Sequence, residues 1–120
     1  MAEHVLVVEH DDRVREAIAE FLKRAGMNAR ATSTVEGALT SLRRLPALVV
    51  LDLAFPAGDG IEVWRAVREL RMATEVAIIA SSCEARLFES MTPFRPNALF
   101  GKPFNFEDFA DWLCRTFGDA

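Results

Sequence analysis

The chain has little that would tie it to a membrane, a disulfide framework or a nucleic acid. No apolar run approaches the roughly 18 residues that a membrane span needs, and the N-terminal apolar stretch from Val5 to Val8 is too short for a signal peptide. Its two cysteines, Cys83 and Cys114, form no CxxC pair, so the sequence predicts reduced, packed thiols and a cytoplasmic home. Basic residues number 14 against 18 acidic ones, for a net charge of -4 and a pI near 5.2. Phosphate-tracking surfaces rest on clustered Lys and Arg, so direct nucleic-acid binding is not expected. Linkers, repeats and low-complexity tracts are absent too. What remains is 120 residues, 51% hydrophobic, which is material for one core and one domain spanning 1–120.

Short apolar runs alternate with helix-period segments, a pattern that gives a parallel sheet with helices on both faces. The first strand is predicted over His4 to Val8. A helix starts near Asp11 or Asp12 with Val14, Ile18, Phe21, Leu22 and Ala25 at helical spacing, and Gly26 stops it. Met27 to Thr32 reads as a weak second strand, and Ser33 or Thr34 caps a helix running to about Arg44, before Pro46. The third strand is Ala47 to Asp52, followed by a helix from Gly60 to about Arg71 with Val63, Val67 and Leu70 inward. The fourth strand is Val76 to Ala80 or Ser81, followed by a short helix from Cys83 to about Met91, ended before Pro93 and Pro96. Ala98-Leu99-Phe100 is the fifth strand. Asn105 then caps a helix that buries Phe106, Phe109, Leu113 and Phe117.

Asp52 is the most informative residue. It closes the apolar run Leu48-Val49-Val50-Leu51 and precedes a loop containing Pro56, Gly58, Asp59 and Gly60. A buried strand that ends in one carboxylate and then breaks places that carboxylate at the mouth of the sheet, where open α/β folds put their chemistry. On the same edge the fold brings Glu9, His10, Asp11 and Asp12 after strand one, Ser81 and Ser82 after strand four, and Lys102 after strand five. Carboxylates crowded within about 4 to 6 Å repel by roughly 1 to 4 kcal/mol per pair in a wet site, so a cation belongs among them. Oxygen ligation favours Mg²⁺, and Lys102 adds a point charge able to hold a phosphoryl group. A single carboxylate nucleophile, an acidic cluster, a hydroxyl and a lysine together suit an aspartyl-phosphate site.

Three segments carry a resemblance that covers nearly the whole chain. Val7-Val8-Glu9-His10-Asp11-Asp12, Leu51-Asp52-Leu53-Ala54-Phe55-Pro56 with Gly60, and Lys102-Pro103-Phe104 resemble the response-regulator receiver domain of two-component signalling. The resemblance implies a flavodoxin-like (βα)5 fold with a five-stranded parallel sheet of order 2-1-3-4-5. It implies that Asp52 accepts a phosphoryl group from a histidine kinase or phosphotransfer protein, with Mg²⁺ as cofactor. Lys102 and Ser81 would contact the phosphoryl group, and Glu9, His10, Asp11, Asp52 and the Ala54 carbonyl would form the metal site. The remaining partners would be a downstream protein or output domain and a second copy of the chain. The role the resemblance implies is that of a signalling phosphoacceptor, not an enzyme.

The chain departs from the family pattern at three places. His10 stands where the family has its second acid, and an imidazole suits Zn, Cu, Fe or Ni better than Mg²⁺. His10 is therefore a metal ligand, an internal counter-ion, or a solvent-facing residue at the helix entry, with Asp11 as a substitute ligand. Aligned back from Lys102 without gaps, Ala80 takes the place of the switch hydroxyl; one residue of shortening gives Ser81. Leu99 stands where many receivers carry an aromatic switch, and Phe100 points to the opposite face. A degenerate receiver acting as a phosphorylation-independent interaction module is the alternative reading. Asp11 and Asp12 also read as simple helix caps, and Phe88, Met91 and Phe94 as either a docking surface or core. Other classes fit poorly: a phosphate-cradling fold would want glycines where Glu9 stands, and aspartyl phosphatases use a second acid where Ala54 stands.

Overall fold

The computed structural model describes residues 4–54, 60–69, 73–92 and 95–118. Five parallel strands, β1 (His4–Val8), β2 (Asn28–Thr32), β3 (Leu48–Asp52), β4 (Glu75–Ala80) and β5 (Ala98–Gly101), lie in the order β2-β1-β3-β4-β5. Five helices join them or follow them: α1 (Asp12–Arg24), α2 (Val35–Ser41), α3 (Gly60–Glu69), α4 (Ser82–Met91) and α5 (Phe106–Phe117). This is the flavodoxin-like, five-stranded parallel architecture that the family resemblance implies.

Strand alternation divides the core in two. Leu6 and Val8 of β1, Val49 and Leu51 of β3 and Val76, Ile78 and Ala80 of β4 pack with α2, α3 and α4 residues, including Ala38, Trp64 and Phe88. Val5, Val7, Leu48, Val50, Ala77 and Ile79 pack on the other face with Ile18 and Leu22 of α1 and Phe109 and Leu113 of α5. The three central strands are covered on both sides, which explains why they read as continuous apolar runs. Phe88 belongs to this core, its ring edge-on to Trp64 at 5.3 Å between centroids, whereas Met91 is exposed. Phe94, like Leu70 and the Pro56, Gly58 and Asp59 loop, lies outside the described residues.

Local chemistry accounts for the boundaries. Asp11 is the N-cap of α1, accepting from the Arg13 and Val14 amides at 2.9 and 3.2 Å, and Gly26 ends that segment at φ 86°, a region open to glycine. Thr34 caps α2 through the Gly37 amide. Helix α2 is shorter than its sequence suggests: Leu42–Arg44 form a 3-10 turn, and Leu45 adopts φ 54° before Pro46. The tighter turn buries Leu42 while Leu45 stays exposed. Both cysteines are exposed, which corrects the expectation that they pack. Cys114 follows the inward Leu113 on α5, and one helical step of about 100° turns it off the buried stripe.

Candidate functional site

Strand register assembles the site. Val8 pairs with Leu51, so the next residue on each strand, Glu9 and Asp52, stand beside each other at the C-terminal edge. Both continue the inward phase of Val5, Val7, Leu48 and Val50, and both are buried, at 2% and 4% exposure. Glu9 is anchored by its amide to the Thr32 carbonyl at 3.1 Å, and Arg15 donates to the Glu9 carbonyl at 3.1 Å. The Ala54 amide donates to Asp52 Oδ1 at 2.8 Å. Gly60 opens α3 against this loop: a Cβ there would lie 3.2 Å from the Asp52 carbonyl oxygen and 3.2 Å from Leu53 Cα.

Lys102 arrives from the far side of the sheet. Ala80 at the end of β4 pairs with Gly101 at the end of β5, and Lys102 follows at once. Its Nζ lies 2.9 Å from Asp52 Oδ1 and 3.2 Å from Glu84 Oε1. Pro103, joined to Lys102 by a cis peptide bond, leads to Phe104. The Phe104 ring packs on Phe106, Phe109 and Phe100 at 4.9 to 5.9 Å between centroids. That aromatic group fixes the backbone on which Lys102 sits.

The electrostatics separate the two buried carboxyls. Burial, and then a hydrogen bond with Asp52, raises Glu9 from 4.5 to about 7. Burial alone would raise Asp52 as well, but hydrogen bonds from Glu9, the Ala54 amide and Lys102 bring it below its ordinary value. Lys102 is 31% exposed. Against a desolvation that lowers it, Asp52 and then Glu84 raise its pKa. Glu9 Oε2 accepts from the Asp11 amide at 3.1 Å and meets His10 Nδ1 at 3.4 Å. Glu9 Oε1 is buried and has no partner as an ionised group among the described residues. A proton shared with Asp52, or a cation, satisfies it.

Glu9, His10 and Asp52 offer ligand atoms that all lie within 4.8 Å of one another. Two buried carboxylates, one with an orphaned oxygen, and an imidazole fit a divalent cation. Asp11 does not join this group, which corrects the expectation that it reaches inward: its carboxylate holds the first turn of α1. Asp12 pairs with Arg15 at 2.6 Å.

Ser81 follows β4 as the N-cap of α4. Its Oγ accepts from the Glu84 amide at 3.2 Å, and Glu84 Oε1 accepts from the Ser81 amide at 2.8 Å. Glu84 is the site residue that sequence reasoning missed. Its signal was the Ser81-x-x-Glu84 capping-box spacing at the head of a helix. Leu99 is exposed, while Phe100 turns inward toward Phe109 and Trp112, as alternation requires.

Comparison with known proteins places this geometry in a family. Residues 5–113 match the response regulator receiver domain family. The KDP operon transcriptional regulatory protein KdpE of Escherichia coli is 32% identical over 104 residues, covering 84% of this chain and 45% of that protein. The DNA-binding response regulator MtrA of Mycobacterium tuberculosis is 30% identical over 112 residues, covering 85% of this chain and 49% of that protein. The chain thus spans about half the length of these relatives. A response regulator receiver protein of Burkholderia phymatum superposes with a TM-score of 0.80 at 30% identity, covering 98% of this chain and 97% of that one. With the match running from β1 into α5, the chain belongs to the response regulator receiver domain family.

Proposed function

We propose that the chain is the phosphoacceptor of a two-component phosphorelay and that Asp52 carries the phosphoryl group. The observation behind this reading is a buried carboxylate at the end of β3 with Lys102 Nζ at 2.9 Å and Glu9 and His10 donors alongside. In the transfer step an Asp52 carboxylate oxygen attacks the phosphorus of a kinase phosphohistidine. A P–O bond forms, the P–N bond breaks, and the departing imidazole takes up a proton. Lys102 neutralises charge on the transferred group. The cap uses Ser81 Oγ as an acceptor, which leaves its O–H to donate to the phosphoryl oxygens.

Glu9, His10 and Asp52, with the Ala54 carbonyl, would hold a divalent cation. Mg²⁺ is the family's ion, and the imidazole extends the acceptable set toward borderline ions such as Mn²⁺ and Zn²⁺. Such an ion, when bound, supplies positive charge where the phosphoryl oxygens gather.

The readout is altered affinity for a downstream protein or an output domain, or for a second copy of the chain, in the cytoplasm. No helix among the described residues is long and apolar enough to cross a membrane. One observation favours the degenerate alternative: β4 ends on Ala80, which has no hydroxyl to offer a phosphoryl group.

Intact mass after incubation with acetyl phosphate tests the proposal, with and without Mg²⁺, in wild type and Asp52→Asn. One phosphoryl adduct in wild type and none in the variant is the expected result. No adduct from acetyl phosphate or from a histidine kinase, in folded protein, would move the reading to the interaction module.

A further inference from the structure

One carboxylate oxygen serves two masters at the edge of this site. Glu84 Oε1 accepts the Ser81 amide at 2.8 Å, closing the first turn of α4, and also lies 3.2 Å from Lys102 Nζ. The same ammonium lies 2.9 Å from Asp52 Oδ1. Asp52, Lys102, Glu84 and Ser81 therefore form one unbroken polar chain from the end of β3 to the head of α4. The residue ending β4 adds nothing polar to it: Ala80 is buried in the α2/α3/α4 core and pairs with Gly101.

We infer that Glu84 is the positioning residue through which a phosphoryl group on Asp52 acts on α4, by competing for Lys102. The inference rests on the reading of Asp52 as the phosphoacceptor. The physical argument is a contest between anions for one cation. Before phosphorylation Lys102 is divided between two carboxylates. Phosphorylation replaces the Asp52 carboxylate with a group of about -1.5 to -2 charge carrying three acceptor oxygens. Lys102 turns to that group, and Glu84 keeps only its cap contacts and faces a larger negative charge. The Ser81 O–H, drawn to the same phosphoryl oxygens, pulls on the other half of the capping box. Both contacts that define the first turn of α4 are thus loosened together.

Linkage makes the coupling reciprocal: whatever holds Lys102 on Glu84 opposes the phosphoryl group by the same factor. The pair is partly exposed, with side chains 31% and 30% accessible, so the effect is modest. Removing it is worth about two- to fivefold in phosphoryl occupancy, the range of a partly exposed ion pair.

Glu84→Gln separates the two roles of the residue. Gln at this position still accepts from the Ser81 amide and keeps the capping box, but it no longer attracts Lys102 as an anion. Glu84→Ala removes both contacts. Adduct formation from acetyl phosphate with Mg²⁺ is followed by intact mass, and backbone amide shifts of residues 81–86 by NMR, in wild type and both variants. The expected result is a two- to fivefold gain in phosphoryl occupancy in both variants. The phosphorylation-dependent shifts at 81–86 should shrink in Glu84→Gln while those beside Asp52 persist. A cap-only role gives the opposite split, with Glu84→Gln matching wild type in occupancy and shifts and only Glu84→Ala differing; that would overturn the inference. Absence of any adduct in wild type would instead overturn the phosphoacceptor reading, and this inference with it.

Discussion

Raising the pH from 4.5 to 8 in the absence of divalent cations should destabilise this fold, and Glu9 should be the cause. In the folded chain its carboxyl is raised to about 7 from 4.5 by burial and by its contact with Asp52. Between those two values the folded state holds a proton that the unfolded state has released. The stability that Glu9 contributes is therefore full below about 4.5, falls as pH rises, and is gone above about 7. The gap corresponds to an upper limit of about 3 kcal/mol, a large fraction of the 5 to 15 kcal/mol roughly typical of a domain. Other shifted groups act outside this window. Asp52 and Glu84 are lowered, so their contributions are lost as pH falls through their folded values; Lys102 is raised, so its own is lost only as pH climbs past its folded value. Urea unfolding in chelator at several pH values, in wild type and Glu9→Gln, reads the effect. Glu9→Gln should remove most of the slope between pH 5 and 8. A divalent cation should restore wild-type stability more at pH 8 than at pH 5.5, because only the ionised carboxyl ligates. Equal slopes in wild type and Glu9→Gln would refute the reasoning.

Phe109→Ala should cost about 3 to 5 kcal/mol in urea unfolding, since the ring is fully buried among Phe21, Phe100, Phe104 and Trp112; a loss below about 1 kcal/mol would contradict that packing. Gly26→Ala should cost about 1 kcal/mol or more, entirely from its φ of 86° because the space around it is open; an unchanged unfolding midpoint would argue against the left-handed turn. Cys83 and Cys114 should both take up a thiol reagent in the folded protein, giving two labels by mass; labelling only after unfolding would contradict their exposure.

The fold was legible because its signals are local. Apolar runs of strand length, Gly26, Thr34 and Asn105 mark element starts and stops that fall within a residue or two of their predicted places, the end of α2 excepted. The meeting of Asp52 and Lys102 was also legible, because one ends a strand and the other directly follows one on the same edge of a wound sheet. What stayed hidden depends on competition between local and tertiary partners. Asp11 had two uses, substitute ligand or helix cap, and the cap won because its carboxylate meets the α1 amides at once. Glu84 looked like an ordinary first-turn acid; its meeting with Lys102 exists only because β4 and β5 are neighbours. The solvent-facing cysteines were missed for a simpler reason: residue type suggested packing, and for Cys114 the helical phase of Leu113 decided otherwise.

The central claim is that Asp52 carries the phosphoryl group, and chemical trapping locates it most directly. After acetyl phosphate treatment, borohydride reduces an aspartyl phosphate to homoserine, and peptide mass mapping finds the position. Homoserine at position 52, absent from untreated protein and from Asp52→Asn, is the predicted result. Reduction at any other acid, or none at all in protein that carries the adduct mass, would contradict the account.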